Sequence, residues 1–312
     1  MTERSNEKEF LLNKKLSKIC SLGVGGEAEF FAEPETPEML QKIFIYARQN
    51  DIPVYTIGGG SNVLFPDGLI KGIVISTRKL NSIEWLSGFR AKIQAGYILP
   101  KLVKELSNHN LGGLEFATGI PGTLGGAIHG NAGTSGKGIC DFIDEINTLE
   151  SNGDFKTWLK NDFKYSYRYC ELADDERIII SCVMSFREAK SNDLQEINNF
   201  AAKRKNQPIG FKNAGCTFKN PVEQTSKSAG QLLDESGCKG LRIGCAVVSE
   251  KHANFILNIS DDNNNENNNE NISKSSDVIE LIKICRKRVF EQTGITLEPE
   301  IKFVGFEPPL LL

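Results

Sequence analysis

The sequence predicts an α+β fold with more than one domain, and three observations support this prediction. Short apolar or alternating stretches typical of strands are interspersed with stretches whose apolar residues recur at helical spacing. Two glycine-rich loops, at 58–62 and 112–133, interrupt this pattern. The length of 312 residues is more than a single domain usually contains.

Composition indicates a globular protein with a substantial core. Hydrophobic residues make up 39% of the chain and charged residues 25%, and the net charge is −3. This slightly acidic balance argues against general nucleic-acid binding, which favours basic surfaces. The sequence lacks both the apolar run that spans a bilayer and the apolar segment of a signal peptide. We therefore expect a cytoplasmic protein with neither a nucleic-acid nor a membrane partner.

Two sequence patterns that indicate cofactors in other proteins do not fit here. The eight cysteines are scattered without C-x-x-C spacing, so we expect reduced, mostly core thiols and no metal site. The segment 21–28 contains a G-x-G-x-x-A match, but a strand-like stretch follows it where a Rossmann fingerprint needs a helix. Neither glycine-rich loop contains the G-x-x-x-x-G-K-[ST] pattern of a nucleoside-triphosphate site.

The first part of the chain mixes strands with one helix. Strands are predicted at 29–34, 54–57, 63–65 and 73–76. A helix is predicted at 37–50, where the apolar residues fall on one side. The loop 58–62 lies between two of the strands.

The middle part contains the larger glycine-rich stretch. A strand at 91–94 and a helix at 98–108, with Pro100 in its first turn, are predicted before it. Strands are predicted after it at 145–150, 155–159 and 177–186. Eight of the 22 residues in 112–133 are glycine, which disfavours a helix before about residue 123. Such a stretch presents backbone N–H groups to phosphate oxygens, or alternatively forms a tight buried connection.

The last part combines helices, strands and a low-complexity tract. Helices are predicted at 192–205, as a connector between domains, and at 228–235, and strands at 246–249 and 254–258. The polar tract 260–276 is expected to be a disordered surface loop. An amphipathic helix at 277–293 and a short strand within 297–305 follow. The apolar side of that helix consists of Val278, Leu281, Ile282, Cys285 and Val289.

A series of motifs resembles the UDP-N-acetylenolpyruvoylglucosamine reductase family, the MurB family of cell-wall enzymes. IGGGSNVLF at 57–65 and GIPGTLGGAIHGNAG at 119–133 resemble its flavin-binding loops. The other motifs, in the family's order, are LGVGGEAEFF, YSYRY, GCTFKNP, SAGQLLDESGCKG, VVSEKHANFILN and LEPEIKFVG. The resemblance covers residues 16–305, almost the whole chain apart from the asparagine-rich tract.

The resemblance implies a two-part FAD-binding unit of the vanillyl-alcohol-oxidase (PCMH) type plus a separate α+β substrate-binding domain. The expected parts are 1–78 with the C-terminal strand 300–312, then 79–190, then 191–299. The short spacing from Arg168 to Cys216 resembles the family's shorter subtype. FAD is expected to be held non-covalently, since Ser61 stands where related oxidases carry a tethering histidine or cysteine. The implied cofactor-binding residues are Gly58, Gly59, Gly60, Ser61, Asn62, Gly119, Ile120, Pro121, Gly122, Thr123, Gly125, Gly126, Ala127, Asn131 and Gly133.

The resemblance also implies an activity in peptidoglycan precursor synthesis. NADPH reduces FAD, and the flavin then gives a hydride to the enolpyruvyl group of UDP-N-acetylglucosamine enolpyruvate. The negative charge left on the substrate requires a cation or donors, followed by a proton. The resemblance implies that Arg168 and Glu300 stabilise and orient the intermediate that carries this charge. It also implies that Cys216, at a position where the family usually has serine, donates the proton.

Composition alone favours plainer interpretations of these three residues. Charged residues are mostly solvated, and free cysteines are mostly buried packing residues. A thiol, with a reference pKa near 8.5, is nevertheless a stronger acid than an alkyl alcohol and suits the protonation of an enolate.

The substrate contacts implied by the family are Lys219 and Asn220, and more weakly Lys251 and His252. A structural histidine is an equal interpretation of the last residue. The sequence departs from the family at Tyr169-Cys170, where serine is usual, and at Cys20-Ser21, where threonines are usual.

Two other functions remain open from the sequence. One is a flavin- or nucleotide-binding module without redox activity, which would need the glycine loops but not Arg168, Cys216 and Glu300 together. The other is a different oxidase of the same flavin fold that oxidises an alcohol with oxygen.

Overall fold

The computed structural model describes residues 10–173, 177–260 and 273–308. The helices in these ranges are α1 (Pro37–Gln49), α2 (Leu99–Asn108), α3 (Leu124–His129), α4 (Asp193–Arg204), α5 (Ala229–Glu235) and α6 (Ser275–Thr293). Among these described helices, none combines the length and the apolar composition that crossing a membrane requires.

The strands are short and interspersed with the helices, which confirms the predicted α+β class. In chain order they are β1 (Leu11–Lys15), β2 (Glu27–Ala32), β3 (Val54–Ile57), β4 (Val63–Leu64), β5 (Leu69–Ser76), β6 (Ile83–Leu86), β7 (Arg90–Gln94), β8 (Leu111–Gly112), β9 (Gly133–Thr134), β10 (Lys137–Gly138), β11 (Ile143–Leu149), β12 (Phe155–Leu159), β13 (Tyr165–Ser166), β14 (Tyr169–Cys170), β15 (Ile178–Ser185), β16 (Arg187–Glu188), β17 (Lys212–Asn213), β18 (Arg242–Ile243), β19 (Ala246–Val248), β20 (Ile256–Asn258) and β21 (Lys302–Phe303).

The chain divides into two compact units, each made of separate chain segments. The first contains the segment before Asn13 together with Glu29–Gly59 and Gly72–Arg204. The second contains Asn13–Ala28, Gly60–Lys71 and the chain from Lys205 onward. Helix α4 groups with the first unit. The expected division into two FAD-binding parts and a substrate domain stays a prediction.

The first unit is built on an antiparallel sheet in the order β12-β11-β15-β7-β6. Its central strand β15 buries seven of its eight residues, because both faces of the strand are covered. This explains why its sequence is mostly apolar, interrupted by Ser181, without the alternation of a half-buried strand. Helices α2 and α3 contribute Leu102, Leu106, Leu124 and Ile128 to the same core.

A second core in this unit lies under α1, whose residues Leu40, Ile43, Phe44 and Ala47 are buried. The helix begins after Thr36, whose side chain accepts a hydrogen bond from the Met39 N–H, as a helix N-cap does. Strand β3 pairs in parallel with β5 beside it. This helix was predicted at 37–50, within one residue of the observed end.

The second unit contains an antiparallel sheet in the order β17-β20-β19-β18, with α5 and α6. The five residues predicted to form the apolar side of α6 are all buried. The predicted start of α6 was wrong, because the helix begins at Ser275. The N–H groups of Ser275 and Ser276 donate to the Asp67 carboxylate, which stabilises the first turn. Residues 261–272 of the expected disordered loop lie outside the described residues.

Most two-residue strands were not predicted, and among the longer strands β1 and β6 were missed. In β1 the side chains are mostly exposed, so its sequence lacks the alternation that marks a half-buried strand. Strand β6 has four residues, one of them exposed. The C-terminal strand expected within 297–305 covers only Lys302–Phe303.

Candidate active site

Within the first unit the two glycine-rich loops meet. A Cβ atom on Gly58 would collide with Oγ1 of Thr123, and one on Gly59 would lie 3.0 Å from the Cα atom of Gly122. Side chains at these two positions would therefore hold the loops apart. The sequence places the loops about 60 residues apart, and the structure brings them together. We call the arrangement of Gly58, Gly59, Gly122 and Thr123 the glycine cradle.

The larger loop is fixed at the point where it enters α3. Gly122 has a φ of 101°, a conformation that L side chains rarely adopt. The N–H groups of Leu124 and Gly125 donate to the carbonyl oxygens of Tyr97 and Ala95, at 2.8 and 2.7 Å. The cradle side of the loop therefore rests on the segment that follows β7.

Two buried hydroxyl groups of this loop have no hydrogen-bond partner among the described residues. They are Oγ1 of Thr118 and Oγ1 of Thr123. Thr123 occupies the N-cap position of α3, yet its side chain makes no capping bond. A buried unsatisfied polar group costs about 1–3 kcal/mol. The Thr123 hydroxyl therefore indicates a polar ligand group at the cradle, and the Thr118 hydroxyl is a second unpartnered group of the same loop.

Arg168 lies in the turn of the hairpin formed by β13 and β14. Its φ of 55° is unusual for a residue with a side chain, and such conformations cluster at functional sites. Its Nη1 donates to the carbonyl oxygen of Gly133 at 3.2 Å. Asn131 Nδ2 donates to the Ser166 carbonyl at 2.8 Å. The structure thus brings the predicted residues Arg168, Asn131 and Gly133 together.

In the second unit the segment 216–219 pairs with the segment 298–300. The Glu300 N–H donates to the Thr217 carbonyl at 2.8 Å, and the Lys219 N–H donates to the Glu298 carbonyl at 2.9 Å. Phe218 lies opposite Pro299 in an antiparallel bridge. Cys216 and Glu300, which are 84 positions apart in the sequence, are therefore on neighbouring stretches of backbone.

Asn62, a predicted cofactor residue, also lies against Glu300. Its Nδ2 donates to the Glu300 carbonyl at 3.1 Å, and the Lys302 N–H donates to the Asn62 carbonyl at 3.0 Å. Strands β4 and β21 continue this contact as a parallel pair. The end of the first glycine-rich loop is thus fixed to the segment that carries Glu300.

Two predicted substrate residues already have contacts within the second unit. Nζ of Lys219 lies 3.3 Å from a carboxylate oxygen of Glu298 in an exposed ion pair. Oδ1 of Asn220 accepts a hydrogen bond from the Ala229 N–H at 2.9 Å, at the first residue of α5.

The other two predicted substrate residues lie on the connection between β19 and β20. His252 is half-buried, and Nδ1 accepts the Asn254 N–H at 3.2 Å, so its remaining nitrogen carries any further contact. Burial lowers the pKa of His252. Lys251 is exposed, and its backbone N–H donates to the Ser249 hydroxyl at 3.2 Å. Substrate contacts of these residues stay predictions.

The remaining predicted cofactor residues are divided between the units. Gly60 and Ser61 belong to the second unit, and the Gly60 carbonyl accepts the Ser21 N–H at 2.9 Å. The others, which lie before or within α3 in the first unit, are Gly119, Ile120, Pro121, Gly125, Gly126 and Ala127.

Two residues near the candidate site were not predicted from the sequence. Thr118 carries one of the unpartnered hydroxyls, and Asn254 contacts the backbone beside Cys216. The signal for Asn254 was its position directly before the apolar run 255–257. A polar residue there is buried together with its neighbours and needs hydrogen-bond partners.

Comparisons with known proteins match almost the whole chain. Residues 28–158 match a family model described as an FAD binding domain. Residues 207–304 match the C-terminal domain of UDP-N-acetylenolpyruvoylglucosamine reductase. The reductase of Geotalea uraniireducens (strain Rf4) is 34% identical, over 96% of this chain and 95% of its own length. That of Syntrophus aciditrophicus (strain SB) is 35% identical, over 95% of this chain and 92% of its own.

A solved structure of the same reductase also matches the chain over almost its whole length. The crystal structure of UDP-N-acetylenolpyruvylglucosamine reductase from Thermus caldophilus has a TM-score of 0.75 and 32% identity. It covers 95% of this chain and 98% of its own.

An FAD-binding domain followed by this C-terminal domain defines a flavin-dependent oxidoreductase. These relatives, all named as this reductase, match 95–96% of the chain at overall identities of 32–35%. The chain belongs to the UDP-N-acetylenolpyruvoylglucosamine reductase family.

Proposed function

We propose that this protein reduces the enolpyruvyl group of UDP-N-acetylglucosamine enolpyruvate to give UDP-N-acetylmuramate, with NADPH as the hydride source. The observation that carries the proposal is the pairing of the segments bearing Cys216 and Glu300, within a chain of this reductase family. The reaction belongs to peptidoglycan precursor synthesis. Through it, the protein would act in the cytoplasm and contribute to cell shape and division.

The first unit is suited to hold FAD non-covalently. The close approach at the glycine cradle and the unpartnered hydroxyls of Thr118 and Thr123 fit a phosphate-bearing cofactor. FAD bound by these residues would supply hydride transfer from NADPH to the β carbon of the enolpyruvyl group. Within this unit we assign its binding to Gly58, Gly59 and the loop 119–133.

The side chains of the site then stabilise the negative charge that forms on the substrate and donate a proton to it. Hydride addition leaves negative charge on the α carbon and the adjoining carboxylate, which needs electrostatic stabilisation. The guanidinium of Arg168 is permanently charged and provides it, and Glu300 orients the intermediate. The thiol of Cys216 donates a proton to the α carbon. Lys219 and Asn220 bind the diphosphate and the sugar or uridine.

The Cys216 assignment is tested by separating the two half-reactions in stopped flow. In Cys216→Ala, NADPH should still reduce the bound flavin at the wild-type rate, because no acid is needed there. Reoxidation by the enolpyruvyl substrate should fall by about a hundredfold or more, within the range of general acid catalysis. Cys216→Ser should retain substantial activity, since a hydroxyl performs the same proton transfer. Wild-type reoxidation of the alanine variant would refute the assignment.

A further inference from the structure

Asn254 makes four hydrogen bonds, and three of them go to the backbone directly after Cys216. The residue is 3% exposed. Its Oδ1 accepts the Phe218 N–H at 2.9 Å, and its Nδ2 donates to the Phe218 carbonyl at 2.8 Å. Its own carbonyl accepts the Thr217 N–H at 2.8 Å. The fourth bond is the one from its N–H to Nδ1 of His252.

These bonds leave the segment 217–219 fixed from both sides. The Thr217 carbonyl and the Lys219 N–H are taken by Glu300 and Glu298 on one side. Thr217 N–H and both backbone groups of Phe218 are taken by Asn254 on the other side. The side-chain amide of Asn254 therefore does what a peptide group of a neighbouring strand does in a sheet, with one donor and one acceptor.

We propose that Asn254 is a positioning residue that sets the direction of the Cys216 and Lys219 side chains through the backbone between them. Cys216 and Lys219 flank the two residues that Asn254 holds, and a displacement of about 1 Å in a reacting group is costly to catalysis. The inference rests on the proposed role of Cys216 in proton donation. No contact of Asn254 itself with substrate or cofactor is needed for it.

The side-chain amide of Asn254 is required both as a hydrogen-bond acceptor and as a hydrogen-bond donor. Asn254→Ala leaves the N–H and the carbonyl of Phe218 buried without partners, since Phe218 is 2% exposed. Asn254→Asp keeps the shape and one acceptor but turns an oxygen towards the Phe218 carbonyl. Both variants should loosen the segment, and the aspartate variant does so without creating a cavity.

A matched control lies four residues further along. Asn258 is also 3% exposed, and its Nδ2 donates to the Leu22 carbonyl at 2.9 Å while its Oδ1 accepts the Ser260 N–H at 2.9 Å. Neither of these contacts involves residues 216–219. Asn258→Asp therefore reproduces the burial of an unfavourable carboxylate in the same unit without releasing the segment.

The test uses the flavin-loaded enzyme and two measurements. Stopped flow should show reoxidation by the enolpyruvyl substrate slowed by about tenfold or more in Asn254→Asp, with flavin reduction by NADPH within about twofold of wild type. Hydrogen exchange should show faster deuterium uptake in the peptide containing 217–219. Asn258→Asp should change neither the ratio of the two half-reaction rates nor the uptake of that peptide.

Several results would overturn the inference. Wild-type reoxidation or unchanged exchange in both Asn254 variants would do so, as would an equal loss in both half-reactions. If both Asn254 variants fail to fold while Asn258→Asp folds, the residue is structural only. A separate result tests the proposed role of Cys216 as proton donor. If the reduced flavin of Cys216→Ala is reoxidised by substrate at the wild-type rate, that role is wrong.

Discussion

At the scale of single residues, exposure distinguishes Cys216 from the other seven cysteines. Cys216 is half-buried, whereas the others, all within the described residues, are buried. Reaction with a thiol reagent depends on access to the thiolate. Its position beside the segment 217–219 makes its modification a direct report on the candidate site.

We expect iodoacetamide to modify Cys216 before any other cysteine and to inactivate the enzyme. Saturating enolpyruvyl substrate should slow inactivation by about tenfold, because bound substrate covers the thiol. Mass spectrometry of the modified peptides together with residual activity measures both effects. The Cys216→Ser variant is the control and should keep its activity under the same treatment. Inactivation without label at Cys216 would contradict the prediction.

Two adjacent glycines of α3 should respond differently to substitution by alanine. In the part of the chain that the structure describes, and leaving aside the backbone of α3 itself, a Cβ atom on Gly126 would meet only Oγ1 of Thr123, at 3.7 Å, so the fold should tolerate it. A Cβ atom on Gly125 would lie 2.7 Å from the Cβ of Ala95 and should destabilise the unit. We expect Gly126→Ala to weaken FAD binding by about tenfold or more with an unchanged melting temperature of the apoprotein.

Flavin absorbance during titration of the apoprotein with FAD measures this affinity, and calorimetry measures the melting temperature. Gly68→Ala is the control, since among the described residues no atom beyond its two chain neighbours lies within 4 Å of its Cβ position. Wild-type FAD affinity in Gly126→Ala would show that the cofactor does not approach α3 at this point.

At the scale of elements, α4 is tied at both ends to the chain that leads into the larger glycine-rich loop. Arg187 makes two hydrogen bonds of 2.8 Å with the Asp193 carboxylate at the start of α4, and one of 2.9 Å with Glu115. At the end of α4, Arg204 Nε donates to the Thr118 carbonyl at 2.6 Å. The helix therefore supports the backbone of 115–119 within its own unit.

We expect Arg187→Ala to destabilise the protein by about 3–5 kcal/mol, because it leaves the buried Glu115 carboxylate without its cation. Urea unfolding measures the change. Lys287→Ala, which removes an exposed ion pair with Glu291, should stay within about 0.5 kcal/mol of wild type. Similar stability of the two variants would mean that Glu115 is accommodated without Arg187.

The ion pair between Arg187 and Asp193 makes the stability of the protein depend on pH. Hydrogen bonding by Arg187 lowers the pKa of Asp193 to about 2, below its ordinary value near 3.9. The unfolded state then binds more protons between these values, so this contribution is present above about pH 4 and is lost towards pH 2. The stability difference between wild type and Asp193→Asn should shrink accordingly as the pH falls. A constant difference would contradict the pairing.

Elements whose apolar residues recur at a regular spacing were predictable from the sequence. Contacts between segments that are distant in the sequence were not. Helices α1 and α6 have apolar residues at helical spacing, and their buried sides match that pattern. Strand β1 has no such pattern because its side chains are mostly exposed. The motifs indicated the glycine loops and Cys216, but the contact of Asn254 with Phe218 joins residues 36 positions apart and depends on tertiary folding.

At the scale of the whole molecule, the low-complexity tract connects two fixed points of the second unit. Before it, the Ser260 N–H donates to Oδ1 of Asn258, and after it the N–H groups of Ser275 and Ser276 donate to Asp67. Both ends are therefore held by contacts that do not involve residues 261–272. A replacement of the tract has to retain Ser275, which begins α6.

We expect replacement of residues 262–272 by a short Gly/Ser linker to leave turnover within about threefold of wild type, since the tract carries no family motif. Steady-state kinetics and flavin content measure the outcome. Loss of turnover with normal flavin content would show that the tract contributes to substrate binding. A second replacement that also removes 273–276 serves as contrast and should reduce thermal stability.

The pairing of β4 with β21 has a consequence for how this protein is made. Asn62 and Glu300 are 238 residues apart, so the early segments of the second unit leave the ribosome long before their partners exist. At translation rates of about 5–20 residues per second, this delay lasts on the order of ten seconds or more. During that interval 13–28 and 60–71 lack the partners that complete their unit, so we expect the nascent chain to bind chaperones.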